Sequence, residues 1–403
     1  MKIRPVFTWA EFRGLSRLGF SAAVGVTYVA EELHEAIQRT PLSILSPGRG
    51  RTRGLAGFVY RCVRGGMRAA DVGVDFALGL AGGSQQLPPS RGRVIALAVI
   101  NGGVGDRLAE TGNSLALSME FRIAGHTLRL DRTSLATAIP DATGRLVVLV
   151  HGLCMSDLQW TRKEHDHGAA LARDCGVTPV FLSYNSGLHI SQNGRAFADM
   201  LERLVAQWPT QVEEIVLLGH SMGGLVARSA VHYANLSGHG WTRKLSKMVF
   251  LGAPHHGAPL ERIGSWVEGA LGKIPYAAVF GRLGAVRSAG ITDLRYGFLV
   301  DEDWRAADRC AHGDKARAVI PLPDRVACYA IAATTAKTTG GIWDQTIGDG
   351  LVQVASALGA HRDPALSLRF PREHTAILCE TGHLDLLASQ EAYATIRNWL
   401  EPA

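Results

Sequence analysis

The spacing of apolar positions divides the chain into two regimes. Up to about residue 115, apolar residues recur at the spacing of one helix face, as in the run of Val26, Val29 and Leu33. Further apolar stretches span residues 66–82 and 93–104. The pattern predicts a helical N-terminal extension over residues 1–115.

From residue 116 onward, short β-branched runs alternate with longer helical segments, which is typical of a parallel sheet covered by helices. The runs predicted as strands are SMEFRIAG, HTLRL, RLVVLVHG, TPVFLSYN, EIVLLGHS, KMVFLGAP, RVACYAIAA and HTAILCETG. LVVLV and IVLL contain no polar residues, as expected of strands buried on both faces. The pattern predicts an α/β domain with a mostly parallel sheet over residues 116–403.

The interval 258–323 separates two predicted strands and is too long for an ordinary connection. Two sets of apolar residues at helical spacing lie on either side of Pro275: Ile263, Trp266, Val267, Ala270, Leu271 and Ile274, then Tyr276, Val279, Phe280, Leu283 and Val286. Because the interval leaves the sheet at its carboxyl edge, we expect a helical cap in which Trp266 and Phe280 line a substrate pocket. The alternative is a pair of ordinary helices covering the sheet.

The composition is that of a globular protein, because 47% hydrophobic and 19% charged residues exclude both disorder and a membrane-embedded chain. The six cysteines lie far apart, without the paired spacing of zinc or redox sites, and indicate reduced core residues of a cytosolic protein. The start, MKIRPVFTWAEFRG, lacks the apolar core of a signal peptide, and no later run has the roughly 18 uncharged apolar residues of a membrane span. A cytoplasmic location is expected.

The net charge of +6 comes from the N-terminal segment, since residues 1–70 carry 11 Lys or Arg and 4 Asp or Glu. Its arginines form two clusters: Arg49, Arg51 and Arg53, then Arg61, Arg64 and Arg68. The preferred interpretation of this segment is a solvated basic face, and the alternative is peripheral contact with an acidic membrane surface. No nucleic-acid partner is expected, because no aromatic platform interleaves with the arginines.

One serine lies among glycines directly after a buried strand. The five residues from Gly219 to Gly223 form the motif G-x-S-x-G between IVLL and the helical pattern MGGLVARSAVHYA. A serine on so sharp a strand-to-helix turn points its hydroxyl out of the sheet, and a Cβ at either flanking glycine would collide with the strand or the helix. This context predicts Ser221 as a catalytic nucleophile, whereas the alternative is an incidental turn.

Hydrolysis by such a serine requires backbone donors for the oxyanion. One comes from the residue after the nucleophile, here Met222, and the other from a loop after an earlier strand. The strand LVVLV ends in His151 and Gly152, so the amide of Leu153 is the second candidate. We expect His151 to hold this loop by hydrogen bonds rather than to react.

The base must lie at the carboxyl edge of the sheet, where Ser221 also lies. His383 follows the strand HTAILCETG, whereas His374 opens that strand at the opposite edge. His255 and His256 reach the correct edge but come too early for the usual order of serine, acid and histidine. His383 is therefore predicted as the base, with His255 and His256 as pocket or loop-anchoring residues.

The acid should lie between the strand RVACYAIAA and His383. Asp344 and Asp349 both qualify. Asp349 is preferred because Gly348 and Gly350 allow the tight turn that aims a short carboxylate inward.

The segments VLVHGL, GHSMGG, LGAPHHG, GDGLV and GHLDLL, in this order, resemble those of α/β-hydrolase lipases and esterases. The resemblance is strongest to bacterial triacylglycerol lipases and the GPI inositol-deacylase-like branch, and it runs from about residue 145 to the C-terminus. It implies an α/β-hydrolase fold with Ser221 as nucleophile, Asp349 as acid and His383 as base. The first 115 residues have no counterpart in the minimal fold.

Two positions raise the question of a metal ion. The resemblance implies that Asp385, two residues after the predicted base, corresponds to an aspartate that binds structural calcium in some of those lipases. No second ligand accompanies it. His165 and His167 in KEHDHG suggest metal ligands only by their spacing, and a solvated polar helix start is the preferred interpretation. No metal and no cofactor are predicted.

The predicted activity is that of a serine hydrolase, which cleaves a carboxylic, lipid-like acyl ester through an acyl-enzyme. The same three residues would also serve an acyltransferase or a thioesterase. A different class of alternative is a non-catalytic binding protein on a hydrolase fold, with the basic N-terminal region as its working surface.

Overall fold

The computed structural model describes residues 8–38, 55–81, 90–259, 262–264, 266, 287–305, 317–339 and 347–401. The chain divides into two compact units, one of residues 1–93 with 111–115 and the other of residues 94–110 with 116–403. The predicted domain boundary at residue 115 stays a prediction. The division into compact units differs from it in one respect, because residues 94–110 belong to the unit that contains the sheet.

The described helices and strands alternate along most of the chain. The helices are α1 (Trp9–Gln38), α2 (Leu55–Ala81), α3 (Arg91–Glu110), α4 (Arg132–Ala138), α5 (His167–Cys175), α6 (Ile190–Gln207), α7 (Met222–Ser237), α8 (Ala289–Tyr296), α9 (Asp301–Arg305), α10 (Val354–Ala357) and α11 (Gln390–Leu400). The strands are β1 (Glu120–Ile123), β2 (His126–Thr127), β3 (Arg145–Val150), β4 (Thr161–Arg162), β5 (His165–Asp166), β6 (Thr178–Ser183), β7 (Glu214–His220), β8 (Leu245–Leu251), β9 (Ala327–Ala333) and β10 (Thr375–Leu378).

In the first unit, ion pairs connect α1 and α2. Arg64 of α2 pairs with Glu31 of α1, and both side chains are buried. Asp75 of α2 accepts hydrogen bonds from Arg13 and lies 2.6 Å (Oδ1 to Nε) from Arg17. The hydrogen bonds from these two guanidinium groups hold the pKa of the Asp75 carboxyl well below its usual range.

The second unit contains an eight-stranded sheet with the strand order β10-β9-β8-β7-β3-β6-β1-β2. The six strands from β10 to β6 pair in parallel, and β1 and β2 continue the sheet in antiparallel pairing. Each of the eight runs predicted from the sequence overlaps one of these strands. The prediction of a mostly parallel sheet flanked by helices is confirmed.

Burial explains why the central strands lack polar residues. The side chains of β3 from Leu146 to Val150 are fully buried, and those of β7 from Ile215 to Leu218 are nearly so. Both faces of these strands are therefore covered, as IVLL and LVVLV indicate. The short hairpin of β4 and β5 forms a separate two-stranded sheet that the sequence pattern did not predict.

Most of the predicted cap lies outside the described residues, and Phe280 is among those left out. Trp266 is described, partly buried and packed against the hydrophobic core. The described parts of the interval also form α8 and α9, which the sequence analysis did not identify. The cap itself stays a prediction.

The cysteines only partly follow the prediction of a reduced core set. All five in the described ranges are free thiols, and Cys154 and Cys328 are buried as expected. Cys62 on α2 is exposed, so its assignment to the core is wrong. Cys310 lies outside the described residues.

Within the part of the chain that the structure describes, no helix combines the length and apolar character needed to cross a membrane.

Candidate active site

Ser221 occupies the turn between β7 and α7. Its backbone has φ 55° and ψ −126°, a conformation that residues with a Cβ rarely adopt. The Ser221 amide donates to the carbonyl of Leu251 (2.8 Å), and the Gly224 amide donates to the carbonyl of Ser221 (3.0 Å). The adjoining strand and the first turn of α7 thus hold the strained conformation in place.

The flanking glycines are required by close backbone approaches. A Cβ on Gly223 would lie 2.1 Å from the carbonyl oxygen of Val150, and one on Gly219 would lie 2.6 Å from the Cα of Gly224. Both distances are far below a permitted contact. The expectation that these positions exclude side chains is therefore confirmed.

His383 and Asp349 form a buried pair at the same edge of the sheet. The Nδ1 of His383 lies 2.7 Å from the Oδ2 of Asp349, and the side chains are 6% and 1% exposed. The other carboxylate oxygen, Oδ1, accepts from the amides of Leu351 (3.0 Å) and Val352 (2.8 Å). These bonds fix the carboxylate in the orientation that receives the imidazole.

The hydrogen bond to Asp349 determines the tautomer of His383. Because a carboxylate only accepts, Nδ1 of His383 carries the proton and Nε2 is the basic nitrogen. That Nε2 is buried and has no hydrogen-bond partner within the described ranges. The amide of His383 donates to the carbonyl of Asp349 (2.9 Å), so two bonds connect the same residues. The orientation and the tautomer of His383 are thus both fixed by Asp349.

His220, the residue before the serine, is a part of the site that the sequence analysis missed. It is fully buried, and its ring centroid lies 4.8 Å from that of His383. Its Nε2 donates to the carbonyl oxygen of His383 (3.1 Å). Burial, with the neighbouring His383, lowers the pKa of His220 well below its usual value, so this ring is neutral. The sequence signal that could have identified His220 was its position directly before Ser221 in the G-x-S-x-G motif.

The loop after β3 passes beside the serine. A Cβ on Gly152 would lie 3.1 Å from the Cβ of Ser221. The amides of Leu153 and Met222, predicted as oxyanion donors, make no hydrogen bond to another group of the described residues. The next amide, that of Cys154, donates instead to the Oγ of Ser186 (3.0 Å).

His151 holds this loop as the sequence analysis expected. Its Nδ1 donates to the carbonyl of Gly152 (2.8 Å), and its ring stacks on Tyr184 at a centroid distance of 4.3 Å. The hydroxyl of Tyr184 donates to the carbonyl of His151 (2.7 Å). Burial lowers the pKa of His151 to about 4, which keeps the ring neutral at physiological pH.

Helix α3 supports the same loop through its glycines. The Sγ of Cys154 lies 3.7 Å from the carbonyl of Val99, and a Cβ on Gly102 would lie 2.2 Å from that sulfur. One turn further, the carbonyl of Gly105 accepts from the Nδ2 of Asn185 (2.9 Å). The sequence analysis assigned no role to this helix, because no sequence pattern reveals which surface a glycine-containing helix contacts.

The remaining histidines near the sheet have structural contacts. The Nε2 of His256 donates to the carbonyl of Gly359 (2.8 Å), and its Nδ1 accepts from Arg317 (2.8 Å). His255 is fully buried beside Arg228. Both contacts are those of loop anchors. His374 lies at the amino end of β10, where its Nδ1 bonds to the carbonyl of Cys328 (3.2 Å).

The preferred interpretation of His165 and His167 was partly wrong. His167 does begin α5, but its side chain is fully buried rather than solvated. It is buried because its Nε2 donates to the carbonyl of Leu386 (2.9 Å) and its Nδ1 accepts from His165 (2.8 Å). These bonds pack the start of α5 against the loop that follows His383.

No cluster of three or more potential metal ligands occurs among the residues that the structure describes. Asp385 instead pairs with Lys163, whose Nζ lies 2.9 Å from its Oδ1. The hydrogen bond from Lys163 lowers the pKa of Asp385. Asp344, the rejected candidate for the acid, lies outside the described residues.

Residues 141–320 match the family described as the PGAP1-like alpha/beta domain. The match contains Leu153, Ser221 and Met222 and ends before Asp349 and His383. The chain has the α/β-hydrolase fold. The resemblance to α/β-hydrolase lipases and esterases is therefore confirmed for the domain that carries the sheet.

Solved structures of hydrolases are similar to this domain at low identity. The mature lipase BlEst2 of Bacillus licheniformis is 17% identical, with a TM-score of 0.43 over 64% of this chain and 92% of its own. Lipase B of Aspergillus fumigatus is 14% identical, with a TM-score of 0.38 over 70% and 56%. YbtT, a type II thioesterase of the yersiniabactin pathway, is 15% identical, with a TM-score of 0.38 over 64% and 92%. No curated protein matches the sequence.

Proposed function

We propose that this chain is a serine hydrolase that cleaves a carboxylic ester with an apolar acyl chain. The observation that carries the proposal is the 2.7 Å hydrogen bond from His383 to Asp349 at the sheet edge where Ser221 occupies its strained turn. A buried histidine with one nitrogen on a carboxylate and the other unpaired is the arrangement that activates a serine.

In the first half-reaction, Nε2 of His383 takes the proton of Ser221 as the serine oxygen attacks the ester carbonyl carbon. The tetrahedral oxyanion accepts hydrogen bonds from the amides of Leu153 and Met222. The carbon–oxygen bond to the alcohol then breaks, and His383 returns its proton to the leaving oxygen. Asp349 keeps the imidazole in the required tautomer and stabilises its charged form.

In the second half-reaction, a water molecule gives a proton to His383 as its oxygen attacks the acyl carbon. The bond from that carbon to the serine oxygen then breaks, His383 returns the proton to the serine oxygen, and the acid is released. The neutral state of His220 favours both half-reactions, because His383 becomes protonated in each. A positive charge so close to His383 would oppose protonation of the imidazole, and burial of His220 prevents that charge.

An apolar acyl group is favoured by the side chains beside the serine. Leu153, Met155 and Met222 are all buried apolar residues. The sulfur of Met155 would lie 3.2 Å from a Cβ on Gly152, which places it next to the loop that passes the serine. These contacts support an apolar acyl group over a charged one.

Labelling with a fluorophosphonate tests the proposal. One serine, Ser221, should be modified, and Ser221→Ala should abolish both labelling and hydrolysis of p-nitrophenyl esters graded by acyl length. Hydrolysis in the presence of a competing alcohol separates a hydrolase from an acyltransferase, because transfer would yield a new ester. Absence of labelling together with no turnover on oxygen esters or thioesters would favour a binding protein.

A further inference from the structure

One side of α2 is an exposed apolar surface. Arg64 and Asp75 pair with residues of α1, so the side that carries them faces that helix. Among the helix residues whose burial is described, Tyr60, Met67 and Asp71 are partly buried. The exposed uncharged residues, here termed the outer face, are Val59, Cys62, Val63, Gly65, Gly66, Ala69, Ala70, Val72, Gly73 and Val74. Val59 is 51% exposed, and Val72 is 69% exposed.

The charges around the outer face have one sign. Arg61 and Arg68 are exposed, and neither pairs with a carboxylate in the described part of the chain. Arg68 does donate to the hydroxyl of Tyr28 (3.3 Å). Asp75, by contrast, is neutralised by Arg13 and Arg17. A partner for this surface must therefore be apolar and also supply negative charge.

A second copy of the chain does not meet this requirement. Two outer faces packed together would bring Arg61 and Arg68 of both copies close, and the outer face contains no carboxylate to compensate them. A phospholipid surface with anionic headgroups does meet it, because acyl chains accept the valines while phosphates accept the guanidinium groups.

We infer that the outer face of α2 binds an anionic lipid surface, with the helix lying along the surface. Arg64 takes no part, because Glu31 neutralises it in a buried pair. The inference does not depend on the proposed ester hydrolysis.

Sedimentation with vesicles of phosphatidylcholine, with and without phosphatidylserine, tests the inference on the full chain. Binding should require phosphatidylserine and weaken with added salt. Val63→Glu should reduce binding by about tenfold or more, because a negative charge replaces an exposed apolar group that would insert among the lipids. Arg61→Gln and Arg68→Gln should each reduce it by about fivefold. Leu236→Glu is the matched control, because Leu236 is 70% exposed but lies on α7, and binding should not change.

Three outcomes would overturn the inference. The first is equal binding to both kinds of vesicle, and the second is an effect of Leu236→Glu as large as that of Val63→Glu. The third is self-association without lipid that Val63→Glu abolishes, since the outer face would then bind a second copy. If Val63→Glu lowers the unfolding temperature, Val72→Glu replaces it, because Val72 is more exposed than Val63. Activity of the site plays no part in any of these readouts.

Discussion

At the scale of single residues, the orientation of His383 depends on one carboxylate. Asp349→Asn places an amide opposite Nδ1 and favours the wrong tautomer, because the amide nitrogen donates where the aspartate accepts. We expect kcat on a soluble short-chain ester to fall by about 10⁴-fold, with little change in KM or in the unfolding temperature. Steady-state kinetics with thermal unfolding checks this.

Two substitutions serve as controls for the triad. His374→Ala removes a histidine at the amino end of β10, far along the strand from His383, so activity should fall only mildly. Asp344→Ala should be similarly mild, because Asp349 already supplies the carboxylate bonded to His383. A loss with Asp344→Ala as large as that with Asp349→Asn would make the choice of acid wrong.

At the scale of elements, α3 positions the loop that carries Leu153. A methyl group on Gly102 would lie 2.2 Å from the Sγ of Cys154 and 2.9 Å from its Cα, so the loop would have to move. Gly102→Ala should therefore lower kcat by about 10²-fold, the scale of losing one oxyanion donor. Ester kinetics and the rate of fluorophosphonate labelling should decline together.

Gly92→Ala, on the same helix, is the matched control. A Cβ there meets nothing within 4 Å, so the substitution removes only the flexibility of glycine. It should leave activity unchanged and raise the free energy of unfolding by about 0.5–1 kcal/mol. Equal losses in the two variants would show that α3 contributes stability alone.

The predicted cap is tested at Trp266, its one described candidate pocket residue. Under the cap hypothesis, Trp266→Gln should lower activity on long-chain esters far more than on short soluble ones. The packing of Trp266 against the hydrophobic core agrees equally well with the alternative of ordinary helices that cover the sheet. An equal loss on both substrates, together with a lower unfolding temperature, would show that Trp266 only stabilises the core. Phe280→Gln makes the same comparison at the second predicted position.

At the scale of the whole molecule, buried histidines should make the fold sensitive to acid. Burial lowers the pKa of His151, His167 and His256 to about 4, from an ordinary value of 6.5. Between these values the unfolded chain binds more protons than the folded one, so stability falls as the pH falls. Each group contributes about 1.4 kcal/mol per pH unit within that window.

Thermal unfolding between pH 7 and pH 4 checks this expectation. The unfolding temperature should be constant near pH 7 and fall steadily below about pH 6.5. His256→Gln removes one of the titrating groups, so its stability should depend less steeply on pH than that of the unchanged chain. A profile that stays flat down to pH 5 would contradict the buried, neutral state of these rings.

The fold class and the candidate triad could be predicted from the sequence because both depend on local patterns. Uninterrupted apolar runs identify strands buried on both faces, and the chain order of strands and helices then fixes which residues reach the carboxyl edge. Ser221, Asp349 and His383 were selected by that rule, and the structure brings Asp349 and His383 within hydrogen-bond distance.

Local sequence patterns do not show which residues far apart in the chain contact each other in the folded protein. Arg61, Arg64 and Arg68 recur at helical spacing, yet among the residues that the structure describes only Arg64 of the three pairs with a carboxylate, that of Glu31 on α1. His167 has a polar sequence context, and it is buried because the loop after His383 folds over it.

The sequence by itself therefore determined the sheet, its edge and the three candidate residues of the triad, since periodicity and chain order specify them. Only the tertiary structure decided that α3 supports the loop of Leu153, that His220 contacts His383, and which face of α2 is left exposed. These depend on contacts between segments far apart in the chain, whose free energies no single segment encodes.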